Sequence, residues 1–222
     1  AFAWRRSGSL IEFKTGDYTS LVTPRGRAWY GANWEMEVDG GHFVSDEASN
    51  QALLKRCQAS GRCSFEAMLE LQGAQGASGI VAGFQAEQGA PHLLLTLAEG
   101  KIGVGSVRAA APAGPFHLLL AIDGARPAAQ RLKLWIDGKP VAAGAGPDVR
   151  TWTQPQYLTF GNDWANAHPF RGRICHVAVG DRAVDDAAAA SASAAVRASY
   201  ALERITPQRI TFTGAVAGVS GD

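Results

Sequence analysis

RLKLWIDGKPV at 131–141 and YLTFGNDWANAHPFRGRICHVAVGDRAVDD at 157–186 are the stretches that decide how this chain folds. Leu132, Leu134 and Ile136 alternate with Lys133 and Trp135, so the first stretch is a strand with one apolar face. It ends in Asp137-Gly138-Lys139, turn chemistry that needs positive φ, and re-enters as Pro140-Val141. A second strand, carrying Leu158 and Phe160, stops at Gly161-Asn162-Asp163, and a loop follows. Phe170-Arg171-Gly172-Arg173-Ile174 opens a third strand, which closes at Gly180-Asp181-Arg182. Ile174 sits at an even position while Val177 and Val179 are odd. All three reach one core only if a bulge near Cys175-His176 switches the faces.

Outward from this region, turn signals recur every 8–12 residues or so, the spacing of a sandwich. Trp34-Glu35-Met36-Glu37-Val38-Asp39-Gly40-Gly41 alternates strictly up to a glycine turn, and His42-Phe43-Val44-Ser45 resumes as a strand. Phe65, Ala67, Leu69 and Leu71 share one face of a strand whose other face is expected to be wet. Strands follow over 80–86, 92–97, 101–107 and 116–123. A short helical turn is expected over 47–57 and a second helix over 185–202, which opens on Asp185-Asp186, is rich in alanine and stops before Thr206-Pro207. No βαβ alternation appears, so a parallel α/β sheet is excluded. The reading is an all-β, two-sheet antiparallel sandwich with one or two short helices. Its core draws on Leu118, Leu120, Ile122, Leu132, Leu134, Ile136, Leu158, Phe160, Ile174, Val177 and Val179. The end segments 9–13 and 209–213 are expected to pair as neighbours.

Composition bounds the function. Apolar residues make up 46% and charged residues 18%, a globular balance with enough apolar mass for a core. The net charge is +1 and no run of Lys or Arg tracks a phosphate backbone, so nucleic acid is excluded as a partner. No segment approaches the ~20 consecutive apolar residues of a membrane span. Residues 1–8 read as an N-terminal stub, the remnant of a signal or anchor segment, and 9–222 as one domain in an extracytoplasmic protein: periplasmic, cell-surface or secreted. Cys57 and Cys63 flank Gln58-Ala59-Ser60-Gly61-Arg62. In an oxidising compartment they would close a small disulfide ring, and Cys175 is a small core residue.

Several segments together resemble laminin-G-like, concanavalin-A-like domains. Phe116-His117-Leu118-Leu119-Leu120-Ala121-Ile122-Asp123-Gly124 is similar to the family's strand before a variable loop. The strand over 132–141, Leu158-Thr159-Phe160-Gly161, the strand over 170–179 and Asp181-Arg182-Ala183-Val184 follow in the family's order. The resemblance covers about residues 35 to 190. It implies a jelly roll, a ligand held at a loop rim and, in some members, calcium there. Ile174-Cys175-His176 stands where the family often carries Asp-Glu, which removes two rim carboxylates.

Candidate sites follow. Glycoside hydrolases of the same superfamily carry Glu-x-Asp-x-x-Glu on one strand. Here Glu37-Val38-Asp39 lacks the third carboxylate, and Glu35, Glu37 and Asp39 read as the solvated face of a strand. No catalytic residue is assigned. The loop over 161–169 is the ligand candidate, through Asn162, Asp163, Trp164, Asn166 and His168. Asp163 and Asn162 are the calcium candidates, a weak site with one local carboxylate, and no other cofactor is expected. The leading function is a non-catalytic binding domain for a glycan or a protein. The alternatives are a structural accessory domain held by protein–protein contacts in a larger assembly, membrane-anchored or not, and a divergent glycan hydrolase or lyase.

Overall fold

The computed structural model describes residues 2–5, 13–15, 18–20, 22–32, 35–72, 78–153 and 156–203. Two antiparallel sheets lie face to face. The larger, of eight strands, runs β15 (Lys139–Gly144), β14 (Leu132–Ile136), β13 (Phe116–Asp123), β8 (Arg62–Leu71), β17 (Arg171–Gly180), β6 (Met36–Asp39) and β5 (Ala28–Tyr30), with β1 (Phe2–Arg5) also paired to β17. The seven-stranded sheet runs β12 (Val107–Ala110), β11 (Lys101–Val104), β10 (Leu93–Ala98), β9 (Gly79–Gln85), β16 (Tyr157–Phe160), β7 (His42–Ser45) and β4 (Val22–Arg25). A small hairpin, β2 (Phe13–Thr15) with β3 (Tyr18–Ser20), stands apart from both. Two α-helices, α1 (Glu47–Ser60) and α2 (Asp186–Glu203), and two single 3₁₀ turns, Ala128–Gln130 and Val149–Thr151, complete the described chain.

The apolar alternation of the opening stretch is what buries the space between the sheets. Leu118, Leu120, Leu132, Leu134, Phe160, Ile174 and Val177 are at most 1% exposed and belong to one cluster with Phe43, Phe84 and Phe116. The face switch near Cys175 is present. Ile174 pairs with Leu69 and His176 with Met68, leaving Cys175 as the extra residue. The bulge also divides one edge of β17 between two partners. Arg171 to Ile174 bind β6, and His176 to Val179 bind β1.

Three details differ from the sequence reading. The run over 101–107 is not one strand, because Gly105 at φ +55 turns the chain between β11 and β12. Helix α1 is longer than one turn. Asp46 caps its start by accepting from the Ser49 N–H at 2.9 Å, and left-handed Gly61 ends it at φ +67. The outer face of β8 is only partly wet, because α2 lies over Met68. Val196 and Tyr200 close on Met68 and Cys175, while Ala189 closes on Leu119, Ala121 and Trp135. The expected pairing of 9–13 with 209–213 falls outside the described residues.

Helix α1 also stitches the smaller sheet. Asn50, 2% exposed, accepts from the Leu158 N–H at 2.8 Å and from the Ser45 hydroxyl at 2.7 Å. One amide thereby fixes β16 against β7, and β16 feeds directly into the loop over 161–169.

Candidate functional site

Loop 161–169 folds back over the outer face of the seven-stranded sheet. Its ends are tied together: the Phe170 N–H donates to the Gly161 carbonyl at 2.8 Å, and the Gly161 N–H to the Val81 carbonyl at 2.9 Å. Gly161 holds φ +96, and a Cβ there would meet the Val38 side chain at 2.6 Å, so this position needs glycine. Further along, the Ile80 N–H donates to the His168 carbonyl at 3.0 Å, and Ile80 bridges Pro169.

Asn162 is the pin of the loop. It is wholly buried. Its Oδ1 accepts from the Asp163 and His168 N–H groups, each at 2.9 Å, and its Nδ2 donates to the Gly40 carbonyl at 3.1 Å. Its own carbonyl accepts from Gln85 Nε2 at 3.0 Å. Both amide atoms and the carbonyl are spent inside the protein, so Asn162 orients the loop and does not face a ligand. Sequence reading put it with the contacts because an Asn at a strand end looks the same whether its amide turns in or out.

Asp163 is also largely spent. One oxygen accepts from the Ala167 N–H and the other meets His168 Nδ1, both at 2.6 Å. Burial pushes its carboxyl pKa up, but the hydrogen bonds from His168 and the Ala167 N–H outweigh that and hold it below the usual aspartate range. Asn166 sits at φ +60 with its Oδ1 2.8 Å from His42 Nδ1. His42, 2% exposed, is pushed toward the neutral form by burial and by the nearby Arg25, against the opposing hydrogen bond to Asn166. With both Asp163 oxygens and the Asn162 oxygen engaged, little coordination capacity is left for calcium, which wants six to eight oxygens. Among the described residues, no group of three or more His, Cys, Asp or Glu side chains is placed to hold a metal.

Trp164 is half-buried at the centre of an aromatic cluster. Tyr157 lies 5.2 Å from its ring and His42 5.9 Å, and the Arg25 guanidinium stacks at 4.9 Å. Together with Ala165, His168 and Pro169 it forms one wall of a cleft of about 1000 Å³. The floor is the outward face of β9 and β10, with Ile80, Leu94 and Thr96; the Ala86 to Pro91 connection and Arg171 complete the rim. Sequence reading found the wall and missed the floor. The signal was present in Leu93-Leu94-Leu95-Thr96, where alternation places Leu94 outward, on a face that water should claim.

The other candidates lie elsewhere. Glu35 and Glu37 are on the larger sheet, gathered around Arg173 with Nε 3.2 Å from Glu37 and 4.0 Å from Glu35, and Glu70 is 3.7 Å from its NH1. Glu35 is not solvated as expected: it is 3% exposed, beside an arginine from a neighbouring strand that is distant in sequence. Asp39 pairs with Arg27 and Arg171. The expected Cys57–Cys63 bridge is not formed. Both thiols are free and buried where α1 meets β8. The hydrogen bond between them, with burial, pushes the Cys63 thiol well above its usual range.

No family model and no curated protein sequence matches the chain. Solved structures do. The binding domain of botulinum neurotoxin DC in complex with rat synaptotagmin II matches with a TM-score of 0.63 at 8% identity, over 88% of this chain and 51% of that one. A botulinum neurotoxin type C structure, described as showing that cell entry depends on two ganglioside molecules, matches with 0.63 at 8% identity over 88% and 51%. A Trypanosoma rangeli sialidase matches with 0.60 at 16% identity over 88% of this chain and 32% of that enzyme. At these identities the likeness is one of fold, a jelly-roll sandwich. This chain spans about half the length of the neurotoxin domains.

Proposed function

We propose that this chain is a non-catalytic, extracytoplasmic binding domain of the laminin-G-like kind, and that its ligand is a glycan held in the cleft between loop 161–169 and strands β9 and β10. The observation that carries the reading is the cleft itself. A large groove is walled by a braced tryptophan and a histidine whose Nε2 has no partner among the described residues, and the loop that presents them is pinned by a buried amide. Rigid presentation lowers the ordering cost of binding. An aromatic face beside polar groups suits a sugar ring, which has one apolar side and a polar rim.

Several observations support the non-catalytic part. The carboxylates nearest to a hydrolase pattern, Glu35 and Glu37, are tied up by Arg173 on the other sheet. Of the two carboxylates that line the cleft, Asp163 is engaged by His168 and only Glu87, on the Ala86 to Pro91 rim, is open, whereas glycoside hydrolysis needs two carboxyl groups flanking one bond. Of the neurotoxin structures that share the fold, one is described as a binding domain in complex with a protein and one by an interaction with two ganglioside molecules. None of the described helices is long and apolar enough to cross a membrane.

The test is a glycan array followed by calorimetry on the hit, with wild type, Trp164→Ala and Trp29→Ala, the last changing a tryptophan that is 45% exposed on the opposite sheet. Binding that survives Trp29→Ala and EDTA but drops at least ten-fold in Trp164→Ala is the expected result. Equal binding by both variants removes the cleft from the site. Silence across the array refutes the glycan reading and leaves a protein ligand or a structural accessory role to be sought by cross-linking.

A further inference from the structure

The hydrogen-bonding groups of the cleft are unevenly spent, and that asymmetry says what the cleft can hold. On the sheet, Gln85 Nε2 donates to the Thr159 hydroxyl at 2.5 Å and to the Asn162 carbonyl, and Thr159 Oγ1 donates to the Gly83 carbonyl at 3.3 Å. Thr96 Oγ1 accepts from Arg108 and bonds the Gly103 carbonyl at 3.5 Å. Apart from Gln85 Oε1, these groups have little left to offer a hydroxyl-rich ligand. Between them the surface is Ile80, Leu94 and the Trp164 wall.

Apart from Glu87 on the Ala86 to Pro91 rim, open polar capacity gathers at one end. Gln72 joins Arg171 through its backbone N–H at 3.1 Å, and Ile80 joins His168 at 3.0 Å, so the ends of β8 and β17 and the start of β9 converge there. Gln72 and Ser78 carry no side-chain partner among the described residues, His168 has only Asp163, and Arg171 uses only its Nε, on Asp39 at 3.3 Å. A ligand polar along its whole length would strand hydroxyls over Ile80 and Leu94, each costing its lost hydrogen bonds to water. A ligand with a polar head and an apolar tail matches both ends.

We infer that the cleft binds an amphipathic ligand, a sugar bearing an alkyl or acyl chain, with the chain along Ile80, Leu94 and Trp164 and the sugar at Gln72, Ser78, His168 and Arg171. The inference rests on the cleft being the binding site and adds the chemistry of what enters it. A volume of about 1000 Å³ is at the upper end for small-ligand sites and has room for both parts.

The probe is a series of alkyl β-D-glucosides, methyl, butyl, hexyl and octyl, titrated below the micelle concentration and read by calorimetry. Leu94 is half-exposed on the outward face of β10, so Leu94→Asn is expected to fold. In wild type, Kd should tighten up to about three- to four-fold per added methylene, as each buried CH₂ contributes, and Leu94→Asn should flatten the dependence. A wild-type Kd that does not change with chain length overturns the inference. So does an equal chain-length response in Leu94→Asn, which would put the chain elsewhere. Either result leaves the glycan reading standing if the array hit still depends on Trp164. Loss of that hit as well would remove both.

Discussion

Asn162 offers the most direct test of how the site is built. Replacing it with leucine, branched at the same carbon but larger, removes the polar contacts without opening a hole. Three hydrogen bonds disappear: from the Asp163 and His168 N–H groups at 2.9 Å each, and to the Gly40 carbonyl at 3.1 Å. Two backbone donors and one acceptor are left facing a methyl group. At roughly 1 kcal/mol per bond, rising where a buried group has no substitute partner, the loss is about 2–4 kcal/mol. A domain of this size holds about 5–15 kcal/mol in all, so the effect is large enough to measure cleanly. Equilibrium unfolding in urea should show a lower midpoint at an unchanged m-value. Because the same bonds set the course of the loop, binding in the cleft should fall with stability, although Asn162 itself is wholly buried. A variant within about 0.5 kcal/mol of wild type, or one that is destabilised yet binds with full affinity, would refute the assignment of Asn162 as the pin.

Two further outcomes are expected. Burial pushes the Glu66 carboxyl up, but His117, hydrogen-bonded to it at 3.0 Å, and His176, 3.5 Å away, outweigh this and hold its pKa at about 2 against an ordinary 4.5. Its folded pKa is thus depressed, so its contribution is complete above pH ~4.5 and is lost as pH falls towards 2, up to about 3 kcal/mol in all. Wild type should therefore lose more stability than Glu66→Gln across that window in acid-dependent urea titrations, and parallel curves would count against it. The second concerns Cys57 and Cys63, whose thiols are hydrogen-bonded to each other. Refolding with oxidised glutathione should leave Cys175 as the one thiol that a thiol reagent detects after denaturation, with a stability gain below about 3 kcal/mol for so short a ring. Three titratable thiols under those conditions would show that the contact does not become a bond.

What was legible in the sequence was what depends on near neighbours. Leu132 to Lys139 announces a strand and its turn through alternation and Asp-Gly, and the parity of Ile174 against Val177 announces a bulge; both are present. Glycine misled once, at Gly105, where an apolar run continued across a hairpin turn. Long-range partners were hidden. Nothing near Glu35 in sequence says that Arg173 will lie beside it, and nothing near Met68 says that Val196 and Tyr200 will. The site divided the same way. Loop 161–169 was visible as a segment, but the role of Asn162 depends on Gly40, and the cleft floor comes from strands some seventy residues upstream of the loop.

The strand order has a consequence for how the chain is made. In the larger sheet, β17 lies between β8 and β6; in the smaller, β16 lies between β9 and β7. Late segments thus supply inner strands of both layers. As the polypeptide emerges from a ribosome, β6 and β8 cannot become neighbours in their final places until β17 arrives, and the same holds for β7, β9 and β16. Vectorial, piece-by-piece folding is closed to this topology. The growing chain holds exposed edges for most of its synthesis, and closure is a late event spanning distant segments, the regime in which folding is slow and premature pairing with other chains is the main hazard. A fragment ending before β16 would lack the middle of each sheet, so truncation from the C-terminal side should yield an aggregating product and not a smaller domain.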